Sequence, residues 1–156
     1  MDSLRLLGVE GSGDKYYEGA IYGVALLYNL INNDISRHLE QFDLSPAKFN
    51  VLMVIKHQGK EEGISQVEIS KKLIVTASNM TRLLDKLEQE KLIYRSAQEG
   101  DRRVNLIKVT DRAVKLLDAV WPGYVEKMKE VTSVLTTDEQ KIFCDIAAKW
   151  VEKVKE

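Results

Sequence analysis

Cysteine, histidine and proline are scarce in this chain: of 156 residues, one is cysteine (Cys144), two are histidines and two are prolines. A single cysteine excludes an intrachain disulfide and any multi-cysteine metal site, as suits a reducing compartment, and leaves only a bond between two chains open. His38 and His57 stand in or beside helical segments. They form no His-x-x-x-His pair and have no serine or cysteine at a recognisable motif spacing, so they read as packing or solvated residues. A phosphate-cradling glycine loop is missing as well. These absences predict a protein that is not an enzyme and uses no cofactor or metal, with only a metal site shared between subunits left open. No apolar run approaches the roughly 18 residues that span a bilayer, and the first twenty residues lack the basic start and apolar middle of a signal peptide. The expectation is a cytoplasmic protein with no membrane partner.

What is present is enough apolar material, 44% of the residues, to fill the core of one domain or of a compact two-lobed unit. The net charge is −1, but it is unevenly spread. Residues 1–64 hold six basic and nine acidic side chains, residues 65–110 nine and six, and residues 111–156 eight and nine. Positive charge therefore gathers in the middle of the chain.

Apolar periodicity and capping residues divide the chain. Ile21, Val24, Tyr28, Ile31, Ile35 and Leu39 recur every three or four positions, which predicts a first helix from Tyr17 to about Leu39. Ser45 as cap and Pro46 at the first helical position open a second helix carrying Phe49, Leu52, Met53 and Ile55. The polar stretch HQGKEEGIS reads as a loop, and Ser65 with Glu68 forms a capping box for a short third helix from Gln66 to about Leu73. After a brief turn, Thr76 stands as cap of a fourth helix to about Glu90, with Met80, Leu83, Leu84 and Leu87 on one face. Ser78, Asn79, Arg82, Lys86 and Gln89 fall on the other. That mixture of amide, hydroxyl and guanidinium is the palette that reads base edges, although a solvent face has the same composition. LIYRSA and VNLIKVT then read as two strands of a hairpin around QEGDRR. Thr110 and Asp111 open a fifth helix that Pro122 and Gly123 are expected to kink or interrupt, and Thr136 with Glu139 boxes the start of a last helix.

A helix, a short turn, a second helix with a mixed polar face and a hairpin with a basic tip, in that order, describe a winged helix-turn-helix in a mainly α chain with a small β-hairpin wing. The second helix of such a pair enters the major groove. A wing carrying Arg102 and Arg103 suits the negative potential of an adjacent minor groove, and Asp101 can hold one guanidinium while its neighbour inserts.

These segments resemble the MarR (multiple antibiotic resistance regulator) family of transcription factors over roughly residues 17–155. LSPAKFNVLMVI is similar to the family's second helix, and ISQVEISKKLIVTASNMTRLLDKLEQEKLIYR to its helix-turn-helix entering the wing. DRRVNLIKVT resembles the wing motif D-x-R-x-x-x-L-x-L-T: Asp101, Arg103 and Thr110 match, Ile107 and Val109 replace the leucines, and Glu99 stands where many members have a neutral residue. The resemblance implies a single chain over 1–156, with a DNA-binding lobe at 45–110 and helical dimerisation regions at 16–41 and 111–156. It implies a homodimeric repressor on the palindromic operator of a double-stranded DNA, and the acidic balance of the terminal helices agrees. It also implies relief by a small aromatic or phenolic effector, with Tyr28, Phe49 and Trp121 as candidate pocket residues that read equally as core. Ser78, Asn79 and Arg82 are assigned to the major groove and Lys86 to phosphates. Ser65 and Gln66 are assigned to phosphate through a helix N-terminus, with Ser65 a cap in any case. Thr76 and Thr81 read either as phosphate contacts or as caps and packing. Two alternatives stay open: a winged-helix protein-interaction module without specific DNA binding, and a redox-responsive regulator acting through Cys144.

Overall fold

The computed structural model describes residues 16–73, 76–98 and 101–155, apart from the side chains of residues 98, 101–104 and 155. The expected turn at Ile74 and Val75 and the hairpin tip at Glu99 and Gly100 lie outside the described residues. Among the described residues, six α-helices and a small sheet follow in the order α1 (Tyr16–Glu40), α2 (Pro46–Val54), β1 (Ile64–Ser65), α3 (Gln66–Leu73), α4 (Ala77–Gln89), β2 (Ile93–Gln98), β3 (Asp101–Val109), α5 (Asp111–Thr132) and α6 (Thr137–Lys155).

The caps act largely as the residues suggest. Ser45 accepts from the Lys48 amide ahead of Pro46. Thr110 Oγ1 accepts from the Ala113 amide and donates to the Lys91 carbonyl at 2.9 Å, so one hydroxyl starts α5 and ties it to the end of the helix-turn-helix. Thr76 departs from expectation: it occupies the N-cap position of α4 with extended backbone, but its side chain caps no amide and lies 3.5 Å from the Ser78 hydroxyl.

Three further findings differ from the sequence expectations. First, α2 does not end at its last apolar residue but continues as a π-helical turn over Ile55–Gly59, in which Ile55 and Gly59 are buried. Second, the sheet has three strands rather than two: Ile64 and Ser65 pair antiparallel with Ile107 and Leu106, giving the order β1-β3-β2. Gly63 allows this, since its φ of 92° is left-handed and a Cβ there would meet Lys108, Leu106 and the Ile107 carbonyl. Third, α5 runs unbroken through Pro122. A proline costs a helix one hydrogen bond and a clash, and the packing of Leu117 and Val120 before it and Tyr124 after it on the same core holds the helix across it.

One core lies under the helix-turn-helix. Leu39 from α1, Leu52 and Ile55 from the α2 segment, Ile69 from α3 and Met80, Leu84 and Leu87 from α4 are fully buried with Ile93, Ile107, Leu117 and Val120. Each such aliphatic contributes about 1.5–3 kcal/mol by leaving water. The terminal helices differ. Ile21, Val24, Leu27 and Tyr28 of α1 and Ile142, Phe143, Ile146 and Val151 of α6 are exposed, and none of the described side chains of α6 is buried.

A candidate nucleic-acid interface

Helix α4 is set by its buried face. With Met80, Leu84 and Leu87 packed inward, the 100° step of the helix turns Ser78, Asn79, Arg82 and Lys86 outward, and all four are exposed. The side chains of Asn79, Arg82 and Lys86 make no hydrogen bond to any described residue, so their donors are open to a ligand. Thr76 is exposed beside them.

The acidic residues of the same helix are drawn off this face. Arg95, from β2, donates to Asp85 at 2.6 Å and also to Glu88, gripping the flank of α4. Lys48, buried on α2, donates to both oxygens of Glu90 at 2.7 Å, just past the helix end. These pairings leave Arg82 and Lys86 as the charges presented outward. Neither Lys48 nor Arg95 was legible as functional in the sequence, because their partners lie 42 and 7 to 10 residues away at spacings that no helix or hairpin register predicts.

Gln66 and Thr81 are brought together. The Gln66 amide donates to Thr81 Oγ1 at 2.7 Å, and Thr81 Oγ1 donates to the Ala77 carbonyl at 2.9 Å, which locks α3 against the first turn of α4. Ser65 is engaged in its capping box: its amide and hydroxyl both donate to Glu68 Oε2, at 3.1 and 2.7 Å. These two bonds, the hydroxyl's first, hold the Glu68 carboxyl below its usual range.

In the wing, β2 and β3 pair from Ile93↔Val109 to Ala97↔Asn105, and a register shift follows before Gln98↔Asp101. Such a bulge re-aims the residues beyond it. Asp101, Arg102 and Arg103 begin β3, and their side chains, with the assigned ion pair, lie outside the described ones.

The three candidate pocket residues separate. A cavity of about 420 Å³ between α1, α2, α3, α4 and α5 is lined by Tyr28 and Tyr124 among others. Phe49 is buried behind it, its ring 4.8 Å from that of Tyr124, and Trp121, partly exposed, stacks on the same Tyr124 at 5.5 Å. Cys144 is an exposed free thiol on α6. His38 is a packing residue: its Nε2 lies 3.1 Å from the Val120 carbonyl and its ring meets Phe42 edge-on.

The order of elements, with α3 and α4 followed by the β2–β3 hairpin, and the exposed polar face of α4 define a winged helix-turn-helix protein. Comparison with known proteins makes the class specific. Residues 44–104 match the MarR family model. The HTH-type transcriptional regulator MhqR of Bacillus subtilis is 32% identical over 112 residues, covering 72% of this chain and 75% of that protein. The structure of S. aureus MepR in a DNA complex superposes with a TM-score of 0.78 at 26% identity, over 85% of this chain and 96% of that one. AbsC of Streptomyces coelicolor, a MarR family transcriptional regulator, shares the fold with a TM-score of 0.80 at 16% identity, over 92% and 96%. The chain belongs to the MarR family, whose members are transcriptional regulators rather than enzymes. Among the described residues no helix is long and apolar enough to cross a membrane.

Proposed function

We propose that this chain is a sequence-specific DNA-binding repressor that works as a homodimer on a palindromic operator and is released by a small aromatic or phenolic molecule. The observation that carries the reading is the face of α4, where Ser78, Asn79, Arg82 and Lys86 stand exposed while the carboxylates of the same segment are bound by Arg95 and Lys48. In this reading Ser78, Asn79 and Arg82 contact base edges and Lys86 and Thr76 the backbone. Ser65, Gln66 and Thr81 hold the two helices at the angle the groove requires, with the α3 N-terminus at a phosphate. Arg102 and Arg103, steadied by Asp101, serve the minor groove. The DNA complex of MepR, similar in fold and 26% identical, supports the docking geometry.

Dimerisation is supported by the exposed apolar faces of α1 and α6, which enclose a groove of about 600 Å³ lined by Val24, Tyr28, Phe143, Trp150 and Val151. The lobe at 45–110 then reads DNA, and 16–41 with 111–156 joins the two copies. Effector relief is supported by the cavity behind Tyr28, which touches both the dimerisation helix α1 and the reading helix α4. In this reading the protein acts in the cytoplasm.

Selection of bound duplexes from a random pool, at near-physiological salt with competitor DNA, tests the reading. A palindrome with half-sites about one helical turn apart is expected for a dimer of this class. Recovery of nothing above competitor would favour a protein-interaction module. Loss of operator binding on peroxide treatment, absent in Cys144→Ser, would instead favour redox control through Cys144.

A further inference from the structure

The cavity behind Tyr28 has a distinctive chemistry. At about 420 Å³ it falls in the range of about 300–1,000 Å³ common for small-molecule sites. Its walls are aliphatic, with Ile31, Ile35, Val51, Leu73 and Leu83 contributing. Four side chains add polar groups: the hydroxyls of Tyr28 and Tyr124 and the amides of Asn32 and Asn50. None of these four makes a side-chain hydrogen bond to a described residue, so each is open to a ligand. None of the described lining residues is charged. Of the charges on α1 and α2 next to the lining, Lys48 holds Glu90, and Asp34 and Arg37 bind one another.

From this geometry we infer that the effector site, on the reading proposed above, selects uncharged aromatic molecules bearing hydroxyl, carbonyl or amide groups and discriminates against carboxylate anions. Phenol and amide groups exchange hydrogen bonds with the Tyr and Asn side chains as both donors and acceptors. A carboxylate entering the same cavity gives up part of its water to the apolar walls without meeting a cation among the described lining residues, which disfavours it relative to a neutral group of the same shape. A molecule whose ring is held by the apolar walls and whose polar atoms are all uncharged loses nothing comparable.

Calorimetry on the full-length protein with two matched pairs tests the inference: 4-hydroxybenzamide against 4-hydroxybenzoate, and 6-hydroxy-2-naphthamide against 6-hydroxy-2-naphthoate. The amide of at least one pair is expected to bind at least about tenfold more tightly than its carboxylate. Ala47→Trp, at an exposed lining position, is expected to abolish that binding by filling the cavity. Asn50→Lys is expected to narrow the gap by bringing a cation to the wall. Carboxylates that bind as tightly as the amides, and are lost in Ala47→Trp, would overturn the selectivity while leaving the effector site standing. Amide binding that persists in Ala47→Trp would place the ligand elsewhere and overturn the inference. Binding of none of the four probes would overturn the reading of this cavity as an aromatic effector site, and the inference with it.

Discussion

At the scale of single residues, Gly123 and His38 meet where α5 crosses α1. A Cβ on Gly123 would fall on Cε1 of His38, well inside contact distance, while Nε2 of the same ring lies at the Val120 carbonyl. Gly123→Ala should therefore force the imidazole away and cost about 1–2 kcal/mol, although alanine is the better helix former by about 1 kcal/mol. In a His38→Ala background the same substitution should become neutral or stabilising, a reversal of sign that a double-mutant cycle by denaturant unfolding reads directly. Equal costs in both backgrounds would mean that the ring is not what the glycine accommodates. On the DNA side, Arg82→Ala should weaken binding to the selected site by about 1–3 kcal/mol and relax the preference at one base position. Arg102→Ala should weaken binding and lower the salt dependence by about one counterion, which titrations at several salt concentrations would show. An unchanged slope would count against Arg102 at the DNA.

At the scale of elements, capping decides where helices begin. Ser65 with Glu68 and Thr136 with Glu139 form reciprocal boxes at the starts of α3 and α6. Both carboxyls are held below their ordinary value of 4.5, Glu68 first by the Ser65 hydroxyl and Glu139 first by the Thr136 amide. A lowered folded-state value means that the stabilisation is fully present above pH 4.5 and is lost as the pH falls through the lowered values. Glu68→Gln and Glu139→Gln should each flatten part of the loss of stability below that pH in acid unfolding curves. Curves parallel to the unmodified protein's would show that the boxes do not persist in solution. These starts were legible in the sequence because both halves of a box lie within one turn. Strand β1 was not: a two-residue strand has no periodicity, and Ile64 and Ser65 are strand only because Ile107 and Leu106 are brought beside them from more than forty residues away. The continuity of α5 through Pro122 is likewise tertiary, since local propensity argues for a break there and packing of residues before and after it on the core outweighs it.

At the scale of the whole molecule, the buried core and the exposed terminal helices imply different roles. The helix-turn-helix is complete within one chain, whereas Ile142, Phe143 and Ile146 on α6 and Ile21 and Val24 on α1 are left in water. Ile146→Glu should leave the far-ultraviolet spectrum and thermal midpoint of the lobe nearly unchanged, because Ile146 is 57% exposed in a single chain. It should shift the protein from dimer to monomer in sedimentation and reduce operator affinity steeply, since each lobe then binds a half-site alone. A variant that stays dimeric would remove α6 from the interface. The sequence by itself determined the helices, the hairpin and the outward face of α4, because apolar period, caps and turn residues act within a few positions of one another. Only the tertiary structure decided that Lys48 and Arg95 take the carboxylates from around the reading helix, that Ile64 and Ser65 complete the sheet, and that four polar side chains and no described charge share one cavity. Those outcomes depend on which distant segments the common core brings together, and no local pattern in the chain carries that information.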